Sequence, residues 1–323
     1  MKPKLLVTRK LPEAVEDRLA ASYNVTFNLS DRPMNLAELT GAMSQFDAIA
    51  PTVSDKLTAD ILRTPDRRVK MIANIGVGFN NIDIETARAE GIAVSNTPDV
   101  LTDATADIAM LLILSATRRA YAAEQKLRER RWSGFSIVDG LGTSIQGKTL
   151  GIIGMGRIGR ATARRAALGF GMEVIYYNRS AVDDLDFEAR KMDSIEAVMP
   201  EANVVSIHVP GGGSSPLVTA EHIAKMKPSA FLINTARGDS IDQEALMTAL
   251  ETGRIAGAGL DVFADEPEVP ETLRRMETVT LLPHIGSATL EVRTAMGMLA
   301  ADNLDAFFAK QDLPNAVIQG PRR

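Results

Sequence analysis

The chain holds three histidines, His208, His222 and His284, and no cysteine, so side chains able to exchange a proton near neutral pH are few. His284 lies in Leu281-Leu282-Pro283-His284-Ile285-Gly286-Ser287, at the carboxyl end of an apolar run that reads as a strand. Arg237, in Asn234-Thr235-Ala236-Arg237-Gly238, and Glu266, in Leu260-Asp261-Val262-Phe263-Ala264-Asp265-Glu266-Pro267, stand at comparable edges. Open parallel sheets bind ligands outside the carboxyl ends of their strands, so the three residues converge on one crevice if those runs share a sheet. A guanidinium fork can hold the carboxylate of a 2-oxo acid and polarise the neighbouring carbonyl. An imidazolium can protonate the carbonyl oxygen while hydride from a nicotinamide attacks the carbon. A carboxylate beside that imidazole favours its protonated form and fixes the ring. Singly, each residue reads as structural; their joint placement carries the chemistry.

The other two histidines read differently. His222, in Thr219-Ala220-Glu221-His222-Ile223, belongs at the start of a helix as a surface residue. His208 ends a strand before Val209-Pro210-Gly211-Gly212-Gly213, which puts His208 and Pro210 at a cofactor-facing edge. No cluster of histidines and cysteines with ligand spacing is present, so no metal site is expected.

A second signal is Gly154-Met155-Gly156-Arg157-Ile158-Gly159, preceded by the strand-like Thr149-Leu150-Gly151-Ile152-Ile153 and followed by the helix-forming Arg160-Ala161-Thr162-Ala163. In that context the first glycine permits a tight turn, the second lets backbone approach a pyrophosphate, and the third allows close helix packing. The helix N-terminus then offers unpaired N–H groups to the anion. Roughly 20 residues on, where NAD enzymes place a carboxylate on the ribose, the chain has Tyr177-Asn178-Arg179-Ser180. With no carboxylate to repel a 2′-phosphate, Asn178, Arg179 and Ser180 can donate to it, so NADPH is expected over NADH.

The elements that must position these residues follow from alternation of short β-branched runs with helix-length amphipathic segments, the pattern of parallel α/β sheets. Strands are expected at Lys4–Thr8, Asn24–Phe27, Asp47–Ala50, Met71–Asn74 and Ala93–Ser95. A second series, Thr149–Ile153, Glu173–Tyr177, Val204–His208, Ala230–Asn234, Gly257–Leu260 and Val279–Leu282, makes a six-stranded Rossmann sheet. The stretch Thr102 to Arg131 reads as one long helix that could bridge two domains. Leu290–Lys310 reads as another helix, with nothing strand-like after it, so it should return to the first unit. The expected domains are 1–99 with 290–323, and 100–289.

Composition agrees and excludes alternatives. The 323 residues suggest about two domains. The absence of cysteine removes disulfide frameworks and thiolate sites. With 36 basic against 41 acidic side chains, a net charge of −5 argues against a general grip on nucleic acid. The basic run Arg118 to Arg131 reads as a solvated helix face, with Glu124 and Arg128 paired along it. The longest apolar run, Ile108 to Leu114, falls far short of the roughly 20 residues that cross a bilayer, and the N-terminus lacks a signal-peptide core. No membrane partner and a cytoplasmic location are expected.

At five ordered motifs the sequence resembles the D-2-hydroxyacid dehydrogenase family, and within it the NADPH-dependent glyoxylate/hydroxypyruvate reductases, over nearly the whole chain. These are Asn74-Ile75-Gly76-Val77-Gly78-Phe79-Asn80-Asn81-Ile82-Asp83, Leu150 to Gly159, Asn234 to Gly238, Gly259 to Pro267, and Pro283-His284-Ile285-Gly286-Ser287-Ala288. The resemblance implies a Rossmann cofactor domain and a discontinuous flavodoxin-like substrate domain, both doubly wound. It also implies that Arg237 binds substrate, Glu266 supports the histidine and His284 is the acid/base. Backbone N–H groups of Val77 and Gly78 would help hold the substrate carboxylate, in a cleft whose closure expels water. Met155, Gly156, Arg157 and Ile158 would meet the pyrophosphate, Thr235, Ala236, Asp261 and Gly286 the nicotinamide side, and Thr105 would lie near the dinucleotide. A homodimer is implied through the cofactor domain, with Thr102–Leu141 wrapped on the partner and Trp132 reaching towards its active site.

Two alternatives stay open at this level. The same fold could serve a bulkier D-2-hydroxy acid, 3-phosphoglycerate or formate, although Phe79 and Asn80 add no basic group near Val77 and Gly78. It could also be a dinucleotide-sensing corepressor, which turnover at ordinary enzyme rates would exclude.

Overall fold

The computed structural model describes residues 1–320. The chain forms two compact units, one of Met1–Leu101 with the segment that begins at Ser287, the other Thr102–Gly286. Strands in chain order are β1 (Lys4–Val7), β2 (Asn24–Phe27), β3 (Ala48–Ala50), β4 (Met71–Ala73) and β5 (Ala93–Ser95) in the first unit. The second unit holds β6 (Thr149–Ile153), β7 (Glu173–Tyr177), β8 (Arg190–Lys191), β9 (Val204–Ile207), β10 (Phe231–Asn234), β11 (Gly257–Leu260) and β12 (Val279–Leu281), and β13 (Ala316–Ile318) returns to the first.

The first sheet runs β13-β5-β4-β3-β1-β2. Its β1 to β5 are parallel, with Leu5, Val7, Ile49 and Ile72 wholly buried, because helices cover both faces. The helix Leu36–Gln45 starts at Asn35, whose side chain accepts from the Glu38 N–H while Glu38 accepts from the Asn35 N–H. The helix Leu290–Phe308 packs on Glu13–Ser22 at Gly297, where a Cβ would come within 2.6 Å of Val15 Cγ1. Arg18 Nη2 ties the same pair together by donating to Asp302 at 2.6 Å and Asp305 at 2.9 Å.

The strand β13 corrects the expectation that nothing strand-like follows that helix. It pairs antiparallel with β5 through only Ala316↔Ser95 and Ile318↔Val94. Three residues carry too little periodicity to declare a strand by themselves; pairing with a sheet edge makes it one.

The second sheet runs β12-β11-β10-β9-β6-β7-β8, parallel throughout, with the Rossmann order and a seventh edge strand of two residues, β8, that the sequence did not announce. The long helix expected over Thr102 to Arg131 is two helices, Thr102–Thr117 and Ala120–Arg128, with Arg119 between them at φ 53°. The break comes from a distant segment. The Thr143 N–H takes the Thr117 carbonyl at 2.7 Å, and Gly142 lies so close that a Cβ there would meet the same oxygen at 2.6 Å. Among the described residues no helix is long and apolar enough to cross a membrane.

Candidate active site

β10, β11 and β12 are neighbours in the second sheet, paired in register from Phe231↔Gly257 and from Ala258↔Val279. Their carboxyl ends therefore lie side by side, and each is followed within a few residues by one of the predicted groups: Arg237 after β10, Glu266 after β11 and His284 after β12. The first two loops touch at Gly238, where a Cβ would lie 1.9 Å from the Phe263 carbonyl carbon, so only glycine lets them approach this closely. Asn234 fixes the Arg237 turn from within, its Nδ2 donating to the Arg237 carbonyl at 2.8 Å and its Oδ1 accepting the Ala236 N–H at 2.9 Å.

His284 Nδ1 and Glu266 Oε2 are 2.7 Å apart, and the other Glu266 oxygen accepts the Phe263 N–H at 3.0 Å. Both side chains are about one-third exposed, so the imidazole is held yet still reachable. Burial alone would raise the Glu266 carboxyl, but the hydrogen bond and charge of His284, the Phe263 N–H and the Arg237 charge outweigh it and hold the group below the usual carboxylate range. Burial pushes the Arg237 guanidinium down, against the charges of Glu266 and Asp239. These mutual effects place the three ionisable groups within one electrostatic neighbourhood.

His284 sits in the left-handed region at φ 54°. A conformation uncommon for a residue with a side chain persists only where its surroundings fix it, and Asp261 does so. Its carbonyl accepts the His284 N–H at 2.9 Å, Oδ1 the Ile285 N–H at 2.7 Å and Oδ2 the Gly286 N–H at 2.8 Å. Burial raises the Asp261 carboxyl, opposed by those two amides and by His284. Thr105 Oγ1 closes the turn by donating to the Gly286 carbonyl at 3.3 Å. The anchoring of three consecutive amides on Asp261 escaped the sequence, where only its motif position marked it; the signal available was a carboxylate directly after an apolar strand.

At the Gly154–Gly159 loop, Gly154 has φ +96° and a Cβ there would meet the His208 carbonyl oxygen at 2.6 Å, while one on Gly159 would meet the Gly154 oxygen at 2.1 Å. Above Gly156 nothing lies within 4 Å, and it begins the helix Arg157–Arg164 with no side-chain cap. Open space over uncapped helical amides fits a pyrophosphate. Met155 is buried, with its N–H donating to Asn178 Oδ1 at 3.2 Å, and Asn178 Nδ2 donates to the Ser180 carbonyl at 3.2 Å. Asn178 thus links the glycine loop to the 178–180 turn, where Arg179 and Ser180 are exposed.

His208 Nε2 lies 2.9 Å from Ser206 Oγ, and its Nδ1 is buried without a hydrogen-bond partner among the described residues. Burial lowers its pKa to about 3, so the ring is neutral. Pro210 is exposed beyond it, Ala236 is half-buried beside Arg237, and the Thr235 hydroxyl is buried without a partner among the described residues. His222 stands apart from these groups, accepting the Thr219 N–H at Nδ1 and pairing with Glu196 through Nε2 at 2.9 Å.

Val77 and Gly78 belong to the first unit, in the turn that follows β4. Their carbonyls accept from Asn96 Nδ2 at 2.8 Å and Asn74 Nδ2 at 2.9 Å. Their N–H groups meet no acceptor among the described residues. In the sequence Asn74 stands out only as the first residue of its motif, and Asn96 not at all, since nothing local relates Asn96 to Val77.

Residues 110–286 match the family model of the D-isomer specific 2-hydroxyacid dehydrogenase NAD binding domain. The chain is 41% identical to a glyoxylate reductase of Thermococcus litoralis, over 98% of this chain and 97% of that one. It is 36% identical to a glycerate dehydrogenase of Hyphomicrobium methylovorum, over 98% and 99% respectively. Among solved structures it is similar to an NADPH-dependent glyoxylate/hydroxypyruvate reductase from Sinorhizobium meliloti in complex with NADP and malonate, with a TM-score of 0.86 and 36% identity over 100% of this chain and 99% of that one.

Proposed function

The chain belongs to the D-isomer specific 2-hydroxyacid dehydrogenases, and from that premise we propose that it is an NADPH-dependent reductase of small 2-oxo acids, glyoxylate and hydroxypyruvate. The observation that carries the reading is the His284–Glu266 pair beside the Arg237 charge.

When bound, the nicotinamide cofactor supplies hydride to the substrate's carbonyl carbon. Glu266 engages Nδ1 of His284, which leaves Nε2 to deliver the proton to the carbonyl oxygen. The Glu266 carboxylate, itself held on the Phe263 N–H, also fixes the orientation of the ring for that transfer. Arg237 is assigned to the substrate carboxylate and carbonyl, where its planar fork gives direction as well as charge. The free N–H groups of Val77 and Gly78 are assigned to the carboxylate too.

NADPH is preferred on this reading because Asn178, Arg179 and Ser180 offer donors and no carboxylate. The chain pairs with a second copy through the arm 102–141, a proposal supported by the exposed apolar side chains of Trp132, Phe135, Ile137, Val138 and Leu141.

The test is consumption of NADPH or NADH by the purified protein with glyoxylate, hydroxypyruvate or pyruvate. Rapid NADPH-dependent turnover of the first two, abolished in His284→Ala, is expected. Arg179→Asp is expected to cut the NADPH-to-NADH preference by about tenfold or more, as loss of a charge-assisted bond requires. Turnover with NADH alone overturns the cofactor assignment, and silence with all three acids overturns the substrate assignment.

A further inference from the structure

Val77 and Gly78 can present their N–H groups to an anion only if their peptide planes are held. In a trans peptide the carbonyl of one residue and the N–H of the next point in opposite directions, and the peptides here are trans. The Gly76 carbonyl accepts the Thr97 N–H at 3.0 Å, which aims the Val77 N–H away from Thr97. The Val77 carbonyl accepts from Asn96 Nδ2 at 2.8 Å, which aims the Gly78 N–H away from Asn96. The Gly78 carbonyl accepts from Asn74 Nδ2 at 2.9 Å, closing the far end of the turn.

Each clamp is braced in turn. The Asn96 N–H donates to the Asn315 carbonyl at 3.2 Å, and Asn315 exchanges two hydrogen bonds of 3.0 Å with the buried Asn303. Asn74 Oδ1 accepts from Asn81 Nδ2 at 3.1 Å, and Asn81 also donates to the carbonyls of Thr52 and Asp55. Three consecutive carbonyls are therefore each held by a donor, and two adjacent N–H groups are left without an acceptor among the described residues. Adjacent backbone N–H groups of this kind are open to an anion.

We propose that Asn96, seconded by Asn74, is a positioning residue of the reductase: by holding the Val77 carbonyl it fixes the Gly78 N–H as a donor to the substrate carboxylate. The inference rests on the function proposed above. Asn96 acts through the peptide plane, so its loss lets that plane rotate and the donor turn away, while Arg237, His284 and the dinucleotide loop keep their places.

The experiment compares Asn96→Ala, Asn96→His and Asn74→Ala in the full-length enzyme. It measures KM and kcat for glyoxylate, the inhibition constant of oxalate as an unreactive carboxylate, and the NADPH dissociation constant. Asn96→Ala should raise the glyoxylate KM and the oxalate constant together by about 10- to 100-fold, as a lost hydrogen bond to a charged group implies. NADPH binding should be unchanged and kcat should move much less. Asn96→His places a ring N–H near the lost amide and should restore most of the affinity. An unchanged oxalate constant, NADPH binding weakened in step, or no rescue by histidine overturns the clamp. Asn74→Ala decides the same point from the other carbonyl should an Asn96 variant fail to fold. A wild-type enzyme that reduces no 2-oxo acid would instead sink the proposed function.

Discussion

Glu266 holds His284 by the nitrogen that does not face substrate on the proposed mechanism, with Oε2 2.7 Å from Nδ1 and Oε1 fixed on the Phe263 N–H. Glu266→Gln keeps the shape and removes the charge. The imidazole then loses its charged partner on Nδ1, so the acid-side fall in rate that follows protonation of Glu266 should be absent from the variant's pH–rate profile. The rate on the plateau should fall by about 100-fold or more. The wild-type sign is set by the depressed Glu266 carboxyl: its contribution is full above the ordinary carboxylate range and is lost as pH falls through its lowered folded value. A variant whose profile overlays the wild type would remove Glu266 from the mechanism.

Gly238 should tolerate no side chain. A Cβ would lie 1.9 Å from the Phe263 carbonyl carbon and 2.0 Å from its oxygen, so Gly238→Ala must part the loops that carry Arg237 and Glu266. Misplacement of a positioning group by about 1 Å can cost 100-fold in rate. Steady-state kinetics should show that loss, and NADPH affinity should change far less because the glycine loop follows β6, two strands away in the sheet. Normal turnover in the alanine variant would contradict the packing.

His208 should make the second unit sensitive to mild acid. The unfolded chain binds this proton near pH 6.5, whereas burial lowers the folded value to about 3. Between those values the unfolded state carries more protons, so stability falls as pH falls through that window. In His208→Gln the melting temperature should fall less steeply from neutral pH to about 4. Equal slopes for both proteins would show that the buried ring does not set the acid limit.

The arm that follows the helix Ala120–Arg128 exposes Phe135 by 90%, Ile137 by 80% and Val138 by 78%, a cost in water that a second copy would offset. Sedimentation should show a dimer, and the double variant Phe135→Asp with Val138→Asp should shift it towards monomer. A wild-type monomer at micromolar concentration would exclude the pairing.

Much of this protein could be read locally. The glycine spacing from Gly154 to Gly159, the β-branched runs, and charged residues placed just after strands are properties of short windows, and the structure puts β2, β5, β6, β7 and β11 on the expected residues. What the windows could not contain was partnership at long range. The Thr102 to Arg131 stretch has helix-forming residues throughout, yet the Thr143 N–H ends its first half by taking the Thr117 carbonyl. Ala316–Ile318 is a strand only because β5 offers an edge.

The same division runs through the site. Arg237, Glu266 and His284 are candidates in the sequence through their joint placement just after apolar runs, since singly each reads as structural. That they share a neighbourhood was decided by the order β12-β11-β10, which sets three distant loops side by side. Asp261 on the His284 turn, Gly238 against Phe263 and Asn96 on the Val77 carbonyl were decided there too. Propensity and periodicity act between residues a few positions apart, whereas a hydrogen bond or a close approach depends on where the folded backbone brings its partners.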